Sequence, residues 1–231
     1  MDTAQVASAA GATVLATAFA AAVIERWAAR RRRHDLAWGV ALVLFAGGAA
    51  SLWVGAAAGW SGPSFRAFYV LGAVLNVPVL ALGTIYLLGG TRRGDRWAAA
   101  IALASAFAAG VIVAAPLRAP IPPNELPRGA DVFGPLPRVL ATTASAGGAA
   151  VVFSGAAWSA WRLRRSAAAA GTGARRRFAA NLLIATGTLI LSAGGLANSV
   201  FDEMTAFSVT LVAGIAPIFA GFLLAAAALG R

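Results

Sequence analysis

The chain has 231 residues, 60% of them hydrophobic, with a mean hydropathy of +0.77 and a net charge of +11. It contains no Cys and one His, so disulfides, thiolate metal sites, cysteine nucleophiles and multi-histidine metal sites are excluded. Soluble domains run nearer 45–50% apolar, and apolar runs of about 20 residues mark membrane helices. Here such runs fill most of the chain.

Seven spans are predicted. Span one is roughly Ala4 to Ile24, followed by Glu25, Arg26, Trp27 and the run Arg30 to Arg33. A secretory signal carries its basic residues before the apolar core, so this helix is expected to be retained with its N-terminus outside. Span two is roughly Leu36 to Trp60. A short turn, Ser61-Gly62-Pro63-Ser64, leads into span three, Phe65 to Gly90. A basic loop, Thr91 to Arg96, precedes span four, Trp97 to Leu117. The connection Arg118 to Pro137 holds six of the ten prolines, which argues against a regular helix there. Span five is Arg138 to Trp161, and Arg162 to Arg177 reads as a flexible basic loop. Span six is Phe178 to Phe201. An acidic turn, Asp202-Glu203, leads to span seven, Met204 to Leu229.

Charge sets the topology. The loops after spans one, three and five, with the C-terminus, hold 15 Arg and 3 acids; the N-terminus and the other loops hold 4 Arg and 5 acids. The positive-inside rule then puts the N-terminus outside and the C-terminus in the cytoplasm. Trp27, Trp38, Trp97, Trp158 and Trp161 fall at cytoplasmic helix ends and Trp60 at an outer end, as interfacial Trp does. The Arg clusters would also attract anionic lipid headgroups. All 19 basic residues are Arg, which with the Ala and Gly content points to a GC-rich bacterial genome. The expected location is a bacterial cytoplasmic membrane.

An internal repeat is visible. Phe68 precedes Pro78 by ten residues, and Phe207 precedes Pro217 by ten. Leu44-Phe-Ala-Gly-Gly-Ala-Ala matches Leu191-Ser-Ala-Gly-Gly-Leu-Ala. Spans one to three and five to seven start on the same side. The fold is therefore expected to be an all-α bundle of seven helices in one transmembrane domain, residues 1–231. Its parallel 3+1+3 halves are residues 1–90 and 138–231.

This plan resembles the architecture of microbial rhodopsins and of SWEET-type sugar facilitators. Neither resemblance carries a motif. Rhodopsins hold retinal on a Lys, and this chain has none. The SWEET pattern places its key prolines in the first two helices of each repeat, whereas here they fall in the third. The sequence also resembles an uncharacterised family of actinobacterial seven-span proteins. That likeness rests on His34-Asp-Leu-Ala-Trp-Gly-Val-Ala-Leu, on Phe65-Arg-Ala-Phe-Tyr-Val-Leu-Gly-Ala-Val-Leu-Asn-Val-Pro, and on Val132-Phe-Gly-Pro-Leu-Pro-Arg-Val-Leu. It implies topology and source, and no activity.

Ionisable groups inside a span are functional candidates because hydrocarbon disfavours charge. Here the acids, the Arg and His34 all read as loop or helix-end residues. Glu25 and Arg26 are expected at the interface, and His34, between four Arg and Asp35, in solvent. Asp202 and Glu203 read as a solvated turn. Mid-membrane polarity is neutral. Tyr69, Gly72, Asn76, Gly83 and Tyr86 share one face of span three, and Ser145, Gly148, Gly155 and Ser159 one face of span five. The ligand-binding candidates are Tyr69, Asn76 and Tyr86 on span three, Thr188, Ser192 and Asn198 on span six, and Thr210 on span seven. Each stripe has a plain alternative, helix packing through small residues.

Pro78 and Pro217 are candidate kinks. Pro78 frees the carbonyl of Val74, which Asn76 is placed to satisfy, and Pro217 frees that of Ala213. No nucleotide loop, catalytic dyad, metal site or cofactor site is visible, and no nucleic-acid partner is expected. Two functions are carried forward. The first is a small transporter or facilitator for a neutral or amphipathic solute, favoured by paired prolines in repeats. The alternative is a non-catalytic scaffold or sensor subunit that binds a protein partner or lipid.

Overall fold

A computed structural model describes residues 3–167, 179–180, 182–184, 186–191 and 204–227. These residues are mostly helical, with no strand among them. Among the described residues, four helical stretches are long and apolar enough to cross a membrane: Thr3–Arg30, Arg33–Ala58, Gly62–Ala114 and Pro135–Ser159. The protein is thus an all-helical protein of membrane type. Its contacts divide it into two compact units, Met1–Val151 and Val152–Arg231.

In the first unit, α1 (Thr3–Arg30) and α2 (Arg33–Ala58) form a hairpin. The Ala-rich sequence of α1 suits a helix. It buries Ala9, Ala12, Ala16, Phe19, Ala20 and Val23, a stripe at three- and four-residue steps. Small side chains there let α2 approach closely. Gly39 of α2 faces Ile24, and an added Cβ would lie 2.9 Å from the Ile24 side chain.

Both helices run further at the basic end than the apolar pattern implies. α1 continues six residues past Ile24, and only Arg31 and Arg32 separate it from α2. Ala and Arg are good helix formers, and nothing obliges a helix to stop where hydrocarbon does. α1 ends in a left-handed cap, in which the N–H of Arg31 (φ 52) donates to the Trp27 carbonyl at 2.7 Å.

α2 ends at Gly59, whose φ of 91 suits glycine, with its N–H on the Gly55 carbonyl. The turn that follows starts a helix. Ser61 and Ser64 form a reciprocal capping box at the start of α3 (Gly62–Phe68), and Pro63 lies in its first turn, where no N–H is needed. Span three is not one regular helix. α3 gives way to a π-helical turn over Tyr69–Leu75, which passes into α4 (Asn76–Ala114).

α4 carries both limbs of a helical hairpin. Gly90 (φ 75, ψ 177) breaks it, and Thr91 to Arg96, predicted as a loop, instead form the first turns of the second limb. Two contacts bracket the hairpin. Near the break, the Tyr86 hydroxyl donates to Asp95 Oδ1 at 2.8 Å. At the far end, Arg66 donates to the carbonyls of Ile112, Val113 and Ala115. The 20 residues from Arg66 to Tyr86 rise about 30 Å, the thickness of a hydrocarbon core.

The proline-rich connection folds back onto the far end. Trp60 N–H donates to Pro123 O at 2.9 Å, and Arg118 N–H to Val132 O at 2.9 Å. It also contains a helical turn, α5 (Gly129–Val132), and α6 (Pro135–Ala167) begins at one of its prolines. Prolines at 135 and 137 are tolerated because first-turn N–H groups have no intrahelical partner. α6 passes through the first Arg cluster after span five, so Arg162 to Ala167 are helical rather than loop.

In the second unit, α7 (Leu182–Leu191) packs on α8 (Met204–Ala227) through glycines. A Cβ on Gly214 would lie 2.5 Å from the Leu191 side chain, and one on Gly221 would lie 2.6 Å from the Ala180 carbonyl. The turn Asp202-Glu203 lies outside the described residues.

Candidate functional site

The neutral stripe on span three centres on the π-helical turn. There the N–H of Asn76 bonds the carbonyl of Leu71, five residues back. Pro78 follows inside α4, past the end of the π-helical turn. Ser145 Oγ of α6 donates to the Ala73 carbonyl at 2.6 Å. A carbonyl of the π-helical turn is thus bonded from a neighbouring helix.

The same turn is gripped by glycines on two sides. A Cβ on Gly48 of α2 would lie 3.2 Å from Gly72 N, and one on Gly148 of α6 would lie 2.8 Å from the Val77 backbone. Lower on the stripe, Gly83 lies against the Trp38 ring. Gly83 and Gly148 are therefore engaged in helix packing, whereas a Cβ on Gly72 would meet nothing within 4 Å.

The candidate ligand residues do not converge within the first unit. Tyr69 lies at the far end, with its ring centroid 5.1 Å from that of Phe133 and 5.7 Å from that of Phe65. Tyr86 lies near the Gly90 break, bonded to Asp95. Seventeen residues separate them, about 25 Å of helix. Asn76 lies between, half-buried.

In the second unit, Thr188 is 9% exposed and its hydroxyl donates to the Ile184 carbonyl at 2.7 Å, a local bond. Thr210 is half-buried. Ser192 and Asn198 lie outside the described residues. Pro217 sits inside α8, which runs through it with no π-helical turn, unlike Pro78.

Sequence reasoning missed the charged constellation at the basic end. Asp35 is not a loop residue. It occupies the first turn of α2, is 1% exposed, and forms an ion pair with Arg26 of α1. Its Oδ2 is buried with no hydrogen-bond partner among the described residues. His34, expected in solvent, is only 18% exposed. Its Nε2 lies 3.6 Å from Asp35 Oδ1, and its ring meets the edge of Trp38 at 5.2 Å. Arg33 pairs with Asp95 across the bundle. The available signal was an acid nine residues after Arg26 across a basic corner; its weakness was that the corner's length could not be read.

The far end holds the opposite chemistry. Trp60, expected at the interface, is 4% exposed and packs edge-on against Phe65 and Phe68. Phe65 stacks on Phe133 with centroids 5.5 Å apart. A Cβ on Gly55 would lie 2.5 Å from the Trp60 ring. Beside this cluster a cavity of about 430 Å³ is lined by the end of α4, Arg118 and the start of α6.

Comparison with protein-family models, curated proteins and solved structures found no match, and no family is assigned.

Proposed function

We propose that this chain is a non-catalytic scaffold or sensor subunit of a bacterial cytoplasmic membrane, holding a protein partner or lipid. The reading takes with it seven spans in a parallel 3+1+3 plan, with the N-terminus outside and the C-terminus in the cytoplasm. One observation carries the choice over a solute pathway. The backbone around Pro78 is engaged by neighbouring helices, through Ser145 on the Ala73 carbonyl and Gly48 and Gly148 against the chain. A solute path would need such groups facing a cavity.

The second reading, a facilitator for a neutral or amphipathic solute, draws support from the π-helical turn itself. Such turns are frequent at functional sites, and one beside a proline supplies a hinge.

The native chain lacks Cys, so single-cysteine labelling separates the two cleanly. A membrane-impermeant maleimide should modify Ser64→Cys and Gly171→Cys from opposite sides of sealed vesicles. It should leave Asn76→Cys unmodified. Modification of Asn76→Cys from the aqueous phase would sink the scaffold reading, and protection of that cysteine by a neutral solute would establish the facilitator.

A further inference from the structure

The end that buries Asp35 also gathers exposed arginines from two corners. The corner between α1 and α2 holds Arg30, Arg31, Arg32 and Arg33; the corner after Gly90 holds Arg92, Arg93 and Arg96. The two are tied together. Asp95 accepts from both Arg33 and Tyr86, and Trp38 of the first α2 turns lies over Gly83. Asp35 is already matched by Arg26, and Asp95 is shared with Arg33. The remaining guanidinium groups repel one another and draw a counter-anion.

Tryptophans set the depth of this patch. Trp97, 54% exposed, directly follows Arg96, and Trp27 lies one turn before Arg31. Indoles at helix ends mark the headgroup level, so these arginines sit where lipid phosphates are.

Arg31 gives the patch a centre. It occupies the left-handed position that closes α1, with φ 52 and its N–H on the Trp27 carbonyl. Glycine takes that position without a Cβ clash and asparagine is tolerated there through local hydrogen bonding, whereas arginine has neither advantage. A locally unfavourable residue at an exposed corner points to a use for its side chain. The Arg31 guanidinium lies over the Trp27 ring, 4.8 Å from its centroid. A guanidinium held by an aromatic ring keeps the planar fork of N–H donors that can grip two phosphate oxygens at once.

We propose that the two arginine corners, centred on Arg31, bind the phosphate of an anionic phospholipid headgroup at the membrane surface. The proposal rests on membrane insertion alone. The Asn76→Cys labelling can fail while this stands, and the reverse.

The experiment is native mass spectrometry of the full chain in mixed micelles of phosphatidylglycerol and phosphatidylcholine with matched acyl chains. The wild type should retain phosphatidylglycerol in preference. Arg31→Gly should lower that retention roughly fivefold, the effect of removing one basic residue at a lipid surface. Its melting temperature should be equal or higher, because glycine suits the left-handed backbone. Arg31→Lys, which keeps the charge, should retain most of the lipid. Joint replacement Arg92→Gln/Arg93→Gln should lower retention as well, and Arg118→Gln, at the other end, should not. Unchanged phosphatidylglycerol retention in Arg31→Gly, or no headgroup preference in the wild type, would overturn the proposal. Release of the lipid by an equal concentration of inorganic phosphate would also overturn it, naming a soluble phosphate as the ligand.

Discussion

The two ends of the first unit solve one problem in opposite ways. Each must hold helices together where the lipid gives way to water. At the basic end, ion pairs join α1 to α2 (Arg26–Asp35) and α2 to the second limb of α4 (Arg33–Asp95). At the far end, Trp60, Phe65, Phe68, Tyr69 and Phe133 form a continuous aromatic cluster under the folded-back connection. The difference teaches that charge at the basic end does more than set topology. One pair is buried, where losing a partner is severe. The other is exposed, where salt competes with it. The aromatic end should respond to neither pH nor salt.

The largest effect is expected from Asp35→Ala. It strands Arg26 in a site shielded from water, and breaking a buried pair typically costs about 3–5 kcal/mol. Thermal unfolding in detergent would read it. The double change Arg26→Met/Asp35→Ala should recover most of the loss, because an apolar pair carries no desolvation penalty. If the double variant is as unstable as the single one, the ion pair is not what closes this end. Phe133→Ala should cost about 3 kcal/mol by emptying the space beside Phe65 and Tyr69. That loss should be the same at low and high salt. A salt-dependent loss would erase the contrast between the ends.

Between the ends lies the π-helical turn, and a cycle of substitutions tests its register. Ser145→Ala should cost about 1 kcal/mol by leaving the Ala73 carbonyl without its donor. Pro78→Ala restores a backbone N–H, which serves the Ala73 carbonyl if the five-residue register of the turn persists through position 78. In that register Ser145→Ala should be nearly silent in the Pro78→Ala background. Additive losses would show that the serine and the proline are unrelated. The expected coupling is well above the few tenths of a kcal/mol by which distant sites depart from additivity.

What the sequence made legible follows from what lipid demands. Apolar runs of membrane length were readable because hydrocarbon tolerates little else, and they locate α1, α2, the two limbs of the Gly90 hairpin and most of α6. The helix ends were not readable, because Ala28, Ala29 and Arg30 extend a helix into water as readily as any residues do. Asp35 was misread for that reason: its burial depends on a two-residue corner that hydropathy does not encode. The π-helical turn was hidden too, since its hydrogen bonds shift register without changing composition. Of the candidate site, the sequence marked Pro78 and the Ser145–Gly148 stripe, but not that the stripe packs against the backbone just before the proline. Trp60 was assigned to the interface by its position near a helix end. The fold-back of Pro123, whose carbonyl accepts from Trp60 N–H, is a tertiary event no local pattern announces.

The smallest effect, and the finest test of the contrast, belongs to Arg33 and Asp95. Both side chains are about half exposed, 56% and 46%. Exposed pairs contribute little, and added salt screens them further. Yet this pair ties the two basic corners, and Tyr86 donates to the same carboxylate. Arg33→Gln should therefore leave the melting temperature nearly unchanged while loosening the corner after Gly90. Amide hydrogen exchange over Thr91 to Arg96 reads that directly. Exchange there should rise in Arg33→Gln at low salt, and the wild type should approach the same rate at high salt. Exchange across Trp60 to Phe68 should be indifferent to both changes. If high salt instead loosens the aromatic end as much as the basic one, the two ends are not independent, and the ion pairs act on the whole unit rather than on their own corner.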